Sequence, residues 1–305
     1  SRDLAFTLPR KFDHLYGVAL PSETKDSDVL LDRGGRHLFA VPWRNSTLVG
    51  VWHQVFEKTP EEIRVEEYEL EQFQKEVEKA YPGLCSDINE IQVINTGLTL
   101  FGDDASEKKQ GLSFGKRSML IDHRRMNGVD GLVTLIGVRA TTARGMAAKA
   151  IRLITSKLRL DYVSNNNSAH QPIWGGDFKS FNQVKNQIMA FDGIHLSVKE
   201  ADALAHNYGS NFSNVLKYIN EYIDLASVFP GTTTLKAEVV HGVREEMALT
   251  LKDVVFRRTD LGTDGKPEER SLSICADIMA SELGWSEEKK QNEINSVNRC
   301  YPRLG

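Results

Sequence analysis

The residues best placed to do chemistry lie where an apolar run breaks. From Leu132 to Leu158 the chain reads LVTLIGVRATTARGMAAKAIRLITSKL: a short apolar strand, then Gly137, Val138, Arg139, Ala140, Thr141 and Thr142, then a helical pattern. A strand that feeds a helix N-terminus through small and hydroxyl residues leaves backbone N–H groups pointing outward. Together with the helix dipole, those groups favour an electron-rich ligand. The plainer reading is that Thr141 and Thr142 only cap the helix. A second candidate is His53, in GVWHQVF. Imidazole exchanges a proton near neutral pH, so it can act as a general base or a ligand, although a His on an alternating strand is commonly just a hydrogen-bonded polar residue. Its neighbour Trp52 is read as core.

These residues need elements to hold them. Short β-rich runs, LAFTL, YGVAL, HLFAV and TLVGVW, recur between Leu4 and Val55 with turn-forming stretches between them, which predicts an antiparallel sheet. After Pro60-Glu61-Glu62 the apolar residues Leu70, Phe73, Val77 and Tyr81 repeat at three and four, which predicts a helix packed on that sheet and stopped by Pro82-Gly83. A further strand is expected over Glu90 to Leu100. Ser118 to Asp122, a turn at Asn127-Gly128 and Leu132 to Gly137 read as a hairpin that leads into the Thr-Thr helix. Asp161 to Asp177 has linker composition, and the pattern is helical from there to the end, with a capping box from Ser197 to Glu200 and breaks at Gly209 and Pro230-Gly231.

Composition narrows the function classes. The 305 residues carry 38 basic and 42 acidic side chains, a net charge of -4, so no whole-protein attraction to nucleic acid is expected. Cys85, Cys275 and Cys300 lack metal-ligand spacing, which argues against a zinc site and a disulfide framework and for a reducing compartment. No apolar run reaches the roughly 18 to 20 residues of a membrane span.

Gly137 to Arg144 resembles the flavin-contacting GGKxTTxR motif of the FAD-dependent glycerol-3-phosphate dehydrogenases and oxidases. His37 to Gly50, HLFAVPWRNSTLVG, is similar to their VLFxxPWxxxTLIG, and Gly175-Gly176-Asp177 to their GGD. Glu238 to Gly262 and Asp277 to Ile294 resemble their helical C-terminal domain, and the blocks follow in family order along nearly the whole chain. The GxGxxG turn with which family members hold the ADP half of FAD does not occur, and Ser1 to Lys11 matches a point well inside the family's length. The chain is therefore expected to be the C-terminal part of such an enzyme.

The resemblance implies an α+β substrate-covering domain built on an antiparallel sheet over residues 1–97 and a returning piece of the FAD domain over 98–157. A linker over 158–185 and an all-helical C-terminal domain over 186–305 would follow. It implies FAD as cofactor, oxidation of sn-glycerol 3-phosphate or a similar small anionic substrate to the ketone, and a quinone or other carrier as electron acceptor. Gly137, Val138, Arg139, Ala140, Thr141 and Thr142 would contact the flavin. His53 and Arg139 would stand beside the reacting groups, and Arg10, Lys116 and Arg117 would hold substrate; no metal is implied. Arg139 replaces the motif's lysine: it keeps the charge but cannot readily give up a proton, so a role in anion binding survives and a role as base does not. Leu98 stands where the family's GxRPL motif has arginine, which opens a second reading, a flavin oxidoreductase for another hydroxy compound or phosphate ester. A third is a non-catalytic interaction module. Arg244, Glu245, Glu246, Arg257 and Arg258 are expected to form ion pairs and His241 to be structural. A cytoplasmic protein, peripheral to a membrane face at most, with a homodimer allowed, completes the expectation.

Overall fold

The computed structural model describes residues 1–25, 35–60, 63–99, 118–137, 140–160, 166–221, 223–263 and 265–301. Five strands, β1 (Arg2–Pro9), β2 (Val18–Lys25), β3 (Gly35–Trp43), β4 (Ser46–Gln54) and β5 (Val93–Leu98), form one antiparallel sheet in the order β2-β3-β4-β1-β5. Alternation decides its faces. Leu4, Phe6 and Leu8 of β1 turn to the side covered by α1 (Glu67–Ala80), where they meet Leu70, Phe73 and Val77 at the predicted helical spacing. Phe6 lies 4.7 Å from Phe73, centroid to centroid, and Trp52 stacks on the same ring while its indole N–H donates to Glu76. Trp52 is thus core, as expected.

Helix α1 begins at Glu67 rather than at Pro60. Glu66 and Glu69 form a reciprocal capping box there, and Val65 just before it packs on the sheet core. The strand expected from Glu90 is also shorter, because Asp87 caps a 3-10 turn over Ile88–Glu90 before β5 starts.

The predicted hairpin is present. β6 (Met119–Asp122) pairs with β7 (Val133–Ile136), and a short helix α2 (His123–Asn127) closed by left-handed Gly128 joins them. Helix α3 (Ala143–Lys157) is tied to the hairpin by Lys157, whose Nζ reaches Asp122 at 2.8 Å and Asp130 at 3.1 Å. Of the residues in α3, only Ala150 is buried.

The rest is helical: α4 (Phe181–Met189), α5 (Val198–Tyr208), α6 (Phe212–Leu216), α7 (Lys236–Glu246), α8 (Leu251–Asp253), α9 (Glu269–Leu283) and α10 (Glu287–Asn298). The capping box of Ser197 and Glu200 opens α5, and Gly209 closes it. Helix α7 lies between two apolar cores, giving Val240 to one with Ile188, Leu204 and Leu216, and Val239 to the other with Leu251, Leu272 and Met279. Val184 and Ile188 are fully buried in the first, so the helical core starts upstream of residue 186, inside the segment read as linker. The physical reason is the amphipathic start of α4, with Ser180 as its cap. Val93 of β5 joins the second core, which docks the sheet edge on the helices.

Candidate functional site

His53 lies on β4 directly opposite Asp3 of β1, and its Nδ1 is 2.6 Å from Asp3 Oδ1. The pair stands on the sheet face away from α1, because Leu4 and Trp52, the next pair in register, point into the core. The side chains of His53 and Asp3 are 18% and 19% exposed. Phe39 and Val51, on the same side, remain 51% and 41% exposed. A carboxylate that engages Nδ1 fixes the orientation of the ring. Asp3 was missed by sequence reasoning because the pairing of β1 with β4 spans some fifty residues and has no local signal.

On the α1 side of the same strand end, the buried guanidinium of Arg2 donates to Gln54, to Glu69 and to the carbonyl of Arg64. These bonds tie the start of β1 to β4 and α1. Leu98, opposite Arg2 on β5, is 42% exposed.

Arg10 is not near His53. Seven residues of extended chain separate it from Asp3, roughly 20 Å. Its Nε donates to Phe12 O at 2.9 Å and its terminal nitrogen to Arg44 O at 3.1 Å, so it braces the β3–β4 turn. Arg44, left-handed at φ 52°, continues from that turn to the helical region, reaching Asn207 Oδ1 at 2.5 Å and Asp260 Oδ2 at 3.2 Å.

In the Thr-Thr turn, Gly137 ends β7 and a Cβ there would meet nothing within 4 Å. Ala140, Thr141 and Thr142 form a 3-10 turn on the surface, and the Thr142 side chain makes no cap bond to α3. The first amides of a four-turn helix are therefore not closed off by that hydroxyl, which leaves them suited to an electron-rich partner. Val138 and Arg139, and likewise Lys116 and Arg117, lie outside the described residues.

The ion pairs expected in the C-terminal region are present: Arg244 bonds Glu221 and Glu282, Lys217 bonds Glu245, and Arg257 bonds Asp253. Cys85 and Cys275 are buried, and burial pushes the Cys85 thiol up to about 12, which leaves it a small hydrophobe. Among the described residues no group of three or more His, Cys, Asp or Glu is arranged to hold a metal ion.

Comparison with known proteins agrees with this architecture. Residues 167–290 match the family profile described as the C-terminal domain of alpha-glycerophosphate oxidase. A probable mitochondrial glycerol-3-phosphate dehydrogenase of Dictyostelium discoideum is 29% identical over 275 residues, 87% of this chain and 42% of that protein. An alpha-glycerophosphate oxidase of Enterococcus casseliflavus is 31% identical over 178 residues, 56% of this chain and 28% of that protein. The fold is shared with glycerol-3-phosphate dehydrogenase from Bacillus halodurans, solved in complex with FAD, at a TM-score of 0.70 and 20% identity over 98% of this chain and 55% of that one. The chain spans less than half the length of the curated relatives it matches. Over most of its length the chain is thus similar to the C-terminal part of glycerol-3-phosphate dehydrogenases and alpha-glycerophosphate oxidases.

Proposed function

We propose that the polypeptide containing this chain oxidises sn-glycerol 3-phosphate to dihydroxyacetone phosphate with FAD as hydride acceptor, and that this chain supplies the substrate side and the pyrimidine side of the flavin. The observation that supports this most is the alignment with a glycerol-3-phosphate dehydrogenase over 87% of the chain. The open turn before α3 fits the electron-rich edge of a flavin ring. No GxGxxG occurs for the pyrophosphate, so this chain alone does not hold the whole cofactor. When bound, FAD supplies the two-electron acceptor.

The chain's own residues then have separate tasks. His53, oriented by Asp3, is the side chain offered as the base for the hydroxyl proton. Lys116 and Arg117 are the cations offered to the phosphate; Arg10, held by Phe12 O and Arg44 O roughly 20 Å along β1 from Asp3, is too far from His53 to meet the same small substrate. Arg139 and the turn amides stabilise negative charge as it develops. Residues 98–157 are placed as the segment that returns to the flavin domain. In support, a two-stranded hairpin is too small to be stable alone, and Leu132, Leu135, Ile151 and Leu158 are left exposed around it. A quinone or another carrier is the proposed final acceptor. No helix among the described residues is long and apolar enough to cross a membrane, and a cytoplasmic placement, peripheral to a membrane face at most, belongs to this proposal.

Anaerobic addition of sn-glycerol 3-phosphate to the complete flavin-loaded protein is expected to bleach the band at about 450 nm. Arg139→Ala should lower kcat/KM by about 10- to 1000-fold, with Arg244→Ala as the surface control. A flavin that stays oxidised with this substrate rejects the reading. Leu98 favours the second reading, and bleaching by a different hydroxy compound alone would establish it.

A further inference from the structure

The helical region contains a site that the flavin reaction does not use. His241 of α7 is 3% exposed at its side chain, and neither ring nitrogen has a hydrogen-bond partner in good geometry, although the Asn214 backbone is near enough to raise its pKa. Buried polar atoms are rarely left so, because an unmade bond costs free energy that a ligand can recover. The ring is boxed by aromatics: Trp174 stacks over it at 6.3 Å and 24°, Tyr208 meets it edge-on at 5.5 Å, and Tyr218 closes a third side at 6.3 Å. Trp174 and His241, with Asn214, Lys217, Glu245 and Glu246, line a crevice of about 350 Å³, a size suited to a small molecule.

Trp174 is 56% exposed yet held in place. The Asn211 carboxamide, with its oxygen turned inward, accepts from the indole N–H at 3.1 Å and from Gly175 N–H at 2.8 Å. Gly175, the first residue of the Gly-Gly-Asp motif, is left-handed, and a Cβ there would come 2.6 Å from Tyr208 O. A Cβ on Gly209 would come 1.8 Å from Gly175 O. The backbones cross so closely that only glycines fit, and that crossing sets the aromatic wall over His241.

Charge selects the ligand. Glu245 is already matched by Lys217 at 2.8 Å and by the Tyr218 hydroxyl. Glu246 has, among the described residues, only His241 at 4.0 Å. Burial lowers the pKa of His241, which keeps the ring neutral with one nitrogen free to accept. With Glu245 and Lys217 matched to each other, the charge left over on the lining is the Glu246 carboxylate, which repels an anion, whereas a cation finds that carboxylate, an imidazole nitrogen and an aromatic face.

We propose that this crevice binds a free small organic cation, its guanidinium or alkylammonium head held by Glu246 and His241 and covered by Trp174. The inference is independent of the flavin reaction. Isothermal titration of the full chain with n-butylguanidinium and n-butylammonium should give saturable one-site binding with Kd between about 0.1 and 10 mM, and none with butyrate. Glu246→Gln should weaken binding about 10-fold or more and Trp174→Leu about 5- to 10-fold, with unchanged melting temperatures, and flavin turnover in the complete protein should not move. Absence of saturable binding below about 50 mM, equal binding of butyrate, or indifference to both substitutions overturns the proposal. So does a Gly-Arg-Gly peptide that binds tenfold tighter than n-butylguanidinium, since the ligand would then be a protein side chain.

Discussion

Glu238 should make the stability of the helical region depend on pH in an unusual direction. It is 2% exposed on α7, accepts from Leu235 N–H at 2.7 Å and from the Tyr208 hydroxyl at 3.1 Å, and has no cation beside it among the described residues. Burial raises its pKa from an ordinary 4.5 to about 7, against the pull of hydrogen bonds from Leu235, Tyr208 and Asn207. In the folded state the carboxyl therefore keeps its proton up to about pH 7, while the unfolded chain loses it near 4.5. Between those values folding takes up a proton, so stability falls as pH rises through the window. At about 1.4 kcal/mol per pH unit, the 2.5 units between 4.5 and 7 amount to about 3 kcal/mol. Glu238→Gln removes the proton exchange and adds a roughly pH-independent cost of about 1 to 2 kcal/mol for one poorly matched amide hydrogen. His241, whose pKa burial lowers, acts in the opposite sense below about pH 6.5, but equally in both proteins, so it cancels in the difference. In urea midpoints at pH 5, 6, 7 and 8 (values chosen to bracket the window) the advantage of the wild type over Glu238→Gln should shrink and then reverse as pH rises, a change of about 1 to 3 M in the difference. Parallel curves would refute the burial argument.

Other expectations concern backbone, boundary and base. Gly209→Ala should cost more than about 3 kcal/mol in denaturant melts, because φ is +54° and the new Cβ would strike Gly175 O, whereas Gly83→Ala, left-handed in open space, should cost only about 1. Limited proteolysis should cut near 161–170 and leave a helical fragment with intact circular dichroism; cleavage inside α7 first would contradict the core that α7 organises. In the complete protein, His53→Gln and Asp3→Asn should each lower kcat/KM for the hydroxy substrate by about 100-fold with little change in melting temperature, and unchanged turnover in both would remove the pair from the reaction.

The two regions meet through a small set of contacts. Val93 inserts into the second helical core and Arg44 reaches Asn207 and Asp260. Asp260 also accepts from Asn207 and raises the pKa of the nearby Glu238, so the turn braced by Arg10 connects the sheet to the pH-sensitive face of α7.

What the sequence by itself determined was local. Alternation marked the strands, the three-and-four spacing of Leu70, Phe73 and Val77 marked the buried face of α1, and Ser197 with Glu200 marked the start of α5, because each signal acts within one or two turns of chain. The family blocks likewise lay open to direct reading. Only the tertiary structure decided that Asp3 orients His53, that Arg10 braces a turn far along β1 from that pair, and that Glu66 rather than Pro60 starts α1. It alone placed Trp174 over His241, for that contact depends on two glycines whose backbones cross between segments more than thirty residues apart. Strand register and the meeting of distant segments are set by how apolar faces close on one another, and no stretch of sequence a few residues long carries that information.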